Sequence, residues 1–102
     1  MSLDLNQLNE SIGIAEAKAK ELHFRFSAEA NQTDRVQCIW LERDAFFCEI
    51  FIFLDSEFVD FSILRNGDQL QFDGPFDQSM IVSEKVSVIL DFLERTVSEN
   101  QA

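Results

Sequence analysis

The stretch Phe46-Phe47-Cys48-Glu49-Ile50-Phe51-Ile52-Phe53-Leu54-Asp55 decides the fold. At the two-residue period of a strand, Phe46, Cys48, Ile50, Ile52 and Leu54 form a wholly apolar face, and Phe47, Glu49, Phe51, Phe53 and Asp55 a mixed one. A strand with one fully apolar face belongs at the centre of a sheet, where another layer covers that face. The second face is unusual, because three phenylalanines are interrupted by two carboxylates.

Towards the N-terminus, residues 35–43 read as the preceding strand. A turn at Arg43-Asp44-Ala45 sets Trp40 beside Cys48, Cys38 beside Ile50 and Val36 beside Ile52, three apolar pairs. Residues 22–28 alternate with Leu22, Phe24, Phe26 and Ala28 on one side and His23, Arg25 and Ser27 on the other, which predicts a half-buried strand. Before it, Leu5, Leu8, Ile12, Ala15, Ala19 and Leu22 recur at helical spacing over residues 5–21. Asp4 and Gln7 are spaced as a capping box at its start.

Towards the C-terminus, a two-residue turn at Ser56-Glu57 pairs Leu54 with Val59, Ile52 with Phe61 and Ile50 with Ile63, giving a strand over 58–65. Asn66-Gly67 suits a type I′ turn and pairs Arg65 with Asp68, Ile63 with Leu70 and Phe61 with Phe72, giving a strand over 68–73. Gly74-Pro75 ends the sheet. Val82, Val86, Ile89, Leu90, Leu93 and Val97 form the stripe of a second helix over 83–98, with Ser83 as its N-cap and residues 98–102 fraying.

Together these elements predict an α+β domain spanning residues 1–102. It is an antiparallel meander of five strands in the order 1-2-3-4-5, with the N-terminal and C-terminal helices packed on one face. The covered face collects Val36, Cys38, Trp40, Cys48, Ile50, Ile52, Leu54, Val59, Phe61 and Ile63. The opposite face carries Ile39, Leu41, Phe47, Phe51, Phe53, Phe58 and Leu64, with Glu49, Asp55 and Asp60 among them. Monomers seldom leave such a patch wet.

Composition narrows the function classes. The 102 residues suffice for one core, and 46% apolar content with eleven Phe excludes a disordered chain. Nineteen acids against eight bases give a net charge of -11. From Asp44 to Glu84 there are nine acids and one base, Arg65. That field repels polyanions, so neither direct nucleic-acid binding nor an anionic membrane surface is expected. No apolar run reaches the ~20 residues of a membrane span, and Met1-Ser2-Leu3-Asp4 lacks the basic start of a secretion signal, so a cytoplasmic location is expected.

Catalytic and metal chemistry find little purchase. Cys38 and Cys48 fall in strands without metal-ligand spacing, and Asp55, Glu57 and Asp60 near one turn lack a calcium-binding loop. His23, the one histidine, has no carboxylate placed beside it, and the isolated Gly13, Gly67 and Gly74 cannot cradle phosphate. Neither an enzyme nor a cofactor is expected. The charge and the unaccounted sheet face point to a small acidic protein-binding domain, of the inhibitor, immunity-protein or anti-defence type. It would act on a basic partner such as a nuclease or other nucleic-acid-binding protein, in one version by mimicking nucleic-acid charge. The residues expected to meet that partner are Phe47, Glu49, Phe51, Phe53, Asp55, Glu57, Phe58 and Asp60. The rival expectation is an acidic homodimeric secretion chaperone or assembly adaptor, dimerising through the same sheet face.

Overall fold

A computed structural model describes residues 4–72 and 76–100. The elements follow the chain as α1 (Leu5–Leu22), β1 (Arg25–Asn31), β2 (Val36–Arg43), β3 (Phe46–Phe53), β4 (Val59–Arg65), β5 (Asp68–Gln69) and α2 (Val82–Asn100). The strands form one antiparallel sheet in the order β1-β2-β3-β4-β5, with β3 at its centre as its pattern demands.

Both helices lie on the same side of this sheet. Ala15 and Ala19 of α1 and Val82, Val86, Ile89, Leu90, Leu93 and Val97 of α2 join Ile39, Leu41, Cys48, Ile50, Ile52, Val59 and Ile63 in one core. Ser11, Ala15 and Ala19 make a buried line of small residues along α1, which lets α1 pack closely on α2. Leu5 stands 66% exposed, so the buried stripe of α1 begins one turn later than its periodicity suggests. Phe72 and Phe76 close the β4 end of the core. Their rings meet Phe61 at 5.1 and 5.5 Å, and Phe72 meets Phe92 of α2 at 5.1 Å.

The helix termini depart from the expected caps. Asp4 caps α1 by accepting from the Asn6 N–H at 2.8 Å. Gln7 does not complete a capping box; its Oε1 accepts from the Ser83 N–H at 3.3 Å and so ties α1 to the first turn of α2. Ser83 is therefore inside α2, which begins at Val82 and runs on through Asn100. His23 ends α1 in the left-handed region at φ 62°, and the Phe24 N–H reaches the Ala19 carbonyl at 2.7 Å. Leu22 thus belongs to the helix, and the first strand starts at Arg25 rather than at residue 22. Leu22 satisfies both periods at once, which is why alternation alone runs on into the helix.

Three of the four hairpins bear on the expected registers. At Asn66-Gly67 both residues have positive φ, and Arg65 faces Asp68 as the type I′ reading requires. The last strand covers only Asp68–Gln69 before the chain leaves the ladder, although the Leu70 N–H still reaches the Ile63 carbonyl. The expected end at Gly74-Pro75, together with Asp73, lies outside the described residues.

The β3–β4 turn holds four residues, Leu54–Glu57, inside the hydrogen-bonded pair Phe53 and Phe58, not two. The Phe53 N–H bonds the Phe58 carbonyl at 2.9 Å, and Glu57 takes the left-handed conformation at φ 60°. Ile52 therefore faces Val59, Ile50 faces Phe61 and Cys48 faces Ile63. The shift is two residues, so every side chain keeps its expected face.

The β2–β3 hairpin differs with greater effect. Its loop is Asp44-Ala45 alone, and Arg43 faces Phe46. This one-residue slip from the expected register turns β2 over. Ile39 and Leu41 enter the core fully buried, whereas Val36, Cys38 and Trp40 face away from the helices. Two polar groups explain the choice. Arg43 comes to the helix side, where it donates to the Leu22 carbonyl at 2.7 Å and covers the Phe24 ring. The Trp40 indole N–H, which would have no acceptor in an apolar core, donates to Glu49 at 3.0 Å.

Candidate functional site

The face opposite the helices is the candidate site. Strand pairing lays it out in four rows: Arg25, Glu42, Phe47, Leu64 and Gln69; then Ser27, Trp40, Glu49 and Ser62; then Glu29, Cys38, Phe51 and Asp60; and finally Asn31, Val36, Phe53 and Phe58. Among the described residues no helix lies over these rows. Trp40, Phe47, Phe51 and Leu64 are half-buried by their neighbours alone, and Phe53 and Phe58 are 37% and 46% exposed. The last two rings contact each other at 5.8 Å, forming an aromatic corner.

Alternation produces this surface directly, because each strand that sends aliphatic residues into the core sends its other residues outward. In β3 these are the aromatic Phe47, Phe51 and Phe53, with Glu49 between them. The polar groups between the rings are partly engaged. Glu49 accepts from Trp40, Arg25 pairs with Glu42, and at the rim the Arg35 Nε donates to both Asp55 carboxylate oxygens at 2.8 and 2.9 Å. The rows hold four carboxylates, Glu29, Glu42, Glu49 and Asp60, against one cation, Arg25. The Cys38 thiol registers this field: it is pushed up first by burial, and then by the negative charges of Glu29, Glu49 and Asp34.

Of the residues expected to meet a partner, Phe47, Glu49, Phe51, Phe53, Phe58 and Asp60 share this face. Asp55 and Glu57 do not; both lie in the β3–β4 loop. Asp55 is held by Arg35, and the Glu57 carbonyl accepts from the buried Lys85 Nζ of α2 at 2.7 Å. Burial pulls the Lys85 ammonium below its ordinary pKa. Ile39 and Leu41, expected outside, are core residues, and Trp40, Cys38 and Val36 take their places. The signal for Trp40 was its need for an acceptor, which Glu49 offers across the hairpin.

No family model matches the chain, and no curated protein or solved structure matches it. The functional reading therefore rests on this surface. His23, exposed at the end of α1, serves as a helix cap. Among the described residues no group of three metal-ligating side chains is assembled, and no helix is long and apolar enough to cross a membrane.

Proposed function

We propose that this chain is a small acidic protein-binding domain that inhibits or regulates a basic protein in the cytoplasm, without catalysis of its own. The observation that carries this reading is the helix-free sheet face, where five aromatic residues lie among four carboxylates and a single cation. Aromatic side chains supply large contact areas at low entropic cost, and the acids select a cationic partner and reject acidic ones. The same charge would repel a second copy placed face to face, because four carboxylates would oppose four. A nuclease or another nucleic-acid-binding protein is the partner class whose groove already favours negative charge, and this chain would occupy it by charge mimicry.

Affinity capture with the wild-type chain and with Phe53→Asp tests the reading. Phe53 is exposed enough for the substitution to leave the core alone. A basic protein should be recovered by the wild type, lost with Phe53→Asp, and released by ~1 M salt, which screens the attraction. Retention by the variant, or indifference to salt, contradicts the proposal. So does a wild-type dimer in light scattering that Phe53→Asp dissociates, since that outcome assigns the face to a homodimeric chaperone or adaptor.

A further inference from the structure

At the β1 end of the helix-free face, Arg25, Phe26, Ser27, Trp40, Glu42 and Phe47 line a groove of about 540 Å³. Because β1 is an edge strand, the groove opens sideways to solvent. Of its three aromatic residues, Phe26 packs against the core, and Trp40 and Phe47 belong to the helix-free face. The bond from the Trp40 N–H to Glu49 holds the indole by its edge. Among the described residues the cation–π contacts are Arg43 with Phe24 and Arg95 with Phe92, so neither groove ring carries a cation. The carboxylate at the rim, Glu42, pairs with Arg25, whose side chain is 81% exposed and so is easily displaced.

Rings that carry no cation, beside a carboxylate in a negative field, fit one kind of group. A guanidinium can stack on the rings through its plane and bond the carboxylate through its edge, which a lysine ammonium cannot do as well. We propose that this groove receives an arginine side chain of the basic partner, stacked on Trp40 and Phe47 and paired with Glu42, and that it displaces Arg25. The assignment rests on the protein-binding reading above, and it names the group that the face recognises.

Trp40 is the sole tryptophan of the chain, so its emission reports the groove directly. The experiment titrates the purified protein with a capped peptide of alternating arginine and alanine, and with its citrulline counterpart, which keeps the shape but not the charge. Saturable change in Trp40 emission is expected with arginine and none with citrulline. Arg25→Ala should tighten binding about threefold by removing the resident competitor, and Glu42→Gln should weaken it about fivefold, the scale of an exposed ion pair. Asp91→Asn, an equal change in net charge on the exposed side of α2, should leave the affinity unchanged. Equal weakening by Asp91→Asn and Glu42→Gln, equal binding of citrulline, or a silent Trp40 overturns the groove assignment. If the peptide fails while Phe53-dependent capture of a basic protein holds, only the groove falls. A capture that Phe53→Asp leaves intact overturns the reading of the whole face, whatever the peptide does.

Discussion

The two cysteines of β2 and β3 stand on opposite sides of the sheet, and their surroundings give them opposite uses. Cys48 is fully enclosed in the core, and burial pushes its thiol from an ordinary 9.0 up to about 12, with Glu49 adding to the shift. A raised pKa means that the folded state keeps a proton the unfolded chain gives up. The resulting stability is complete below pH 9 and is lost as pH rises from 9 towards 12. By pH 10 the loss from this one group is on the order of 1 kcal/mol. Urea unfolding at pH 7 and pH 10 should show Cys48→Ala less stable than wild type at pH 7 but with a smaller alkaline decline. An identical decline in both proteins contradicts the burial of Cys48. Cys38, by contrast, lies half-buried on the helix-free face.

At the scale of elements, the Asp44-Ala45 turn determines which side of β2 meets the helices. Asp44 takes the left-handed conformation at φ 48°, which aspartate tolerates and a β-branched residue does not. Asp44→Val should cost about 1–2 kcal/mol, and Asp44→Gly should be neutral or slightly stabilising, as read by denaturant midpoints. Equal midpoints for the valine and glycine variants contradict this turn geometry.

The same turn marks the limit of what the sequence makes legible. Helical periodicity, the two faces of β3 and the Asn66-Gly67 hairpin can all be read because each is one-sided. The stretch Val36–Arg43 is two-sided: Val36, Cys38 and Trp40 are about as apolar as Ile39 and Leu41, so apolar pairing supports either register. The tie is broken by tertiary bonds, Arg43 to the Leu22 carbonyl and Trp40 to Glu49, which become visible once the partners are in place. Six of the eight expected site residues reach the helix-free face because β3 and β4 keep their faces under a two-residue shift. Asp55 and Glu57 miss it because the loop holds four residues.

For the molecule as a whole, the α+β arrangement leaves a division of labour. One sheet face and two helices supply the core, and among the described residues no helix covers the other face. The charge of -11 then acts at two ranges. On the proposed reading it would steer a cationic protein from a distance, within the reach set by salt, and would repel a second copy. The aromatic rows act at contact, where burying them removes apolar surface from water. Cys38, between Glu29 and Phe51 in the third row, lies in the middle of the proposed contact. The most direct test is therefore the alkylation rate of Cys38, measured near pH 9 in the free protein and in the complex recovered by capture, with the buried Cys48 as the internal reference. Occupation of the helix-free face predicts that Cys38 reacts in the free protein and is strongly protected in the complex, while Cys48 stays slow in both. Equal Cys38 rates in the two states would place the partner elsewhere and contradict the central claim.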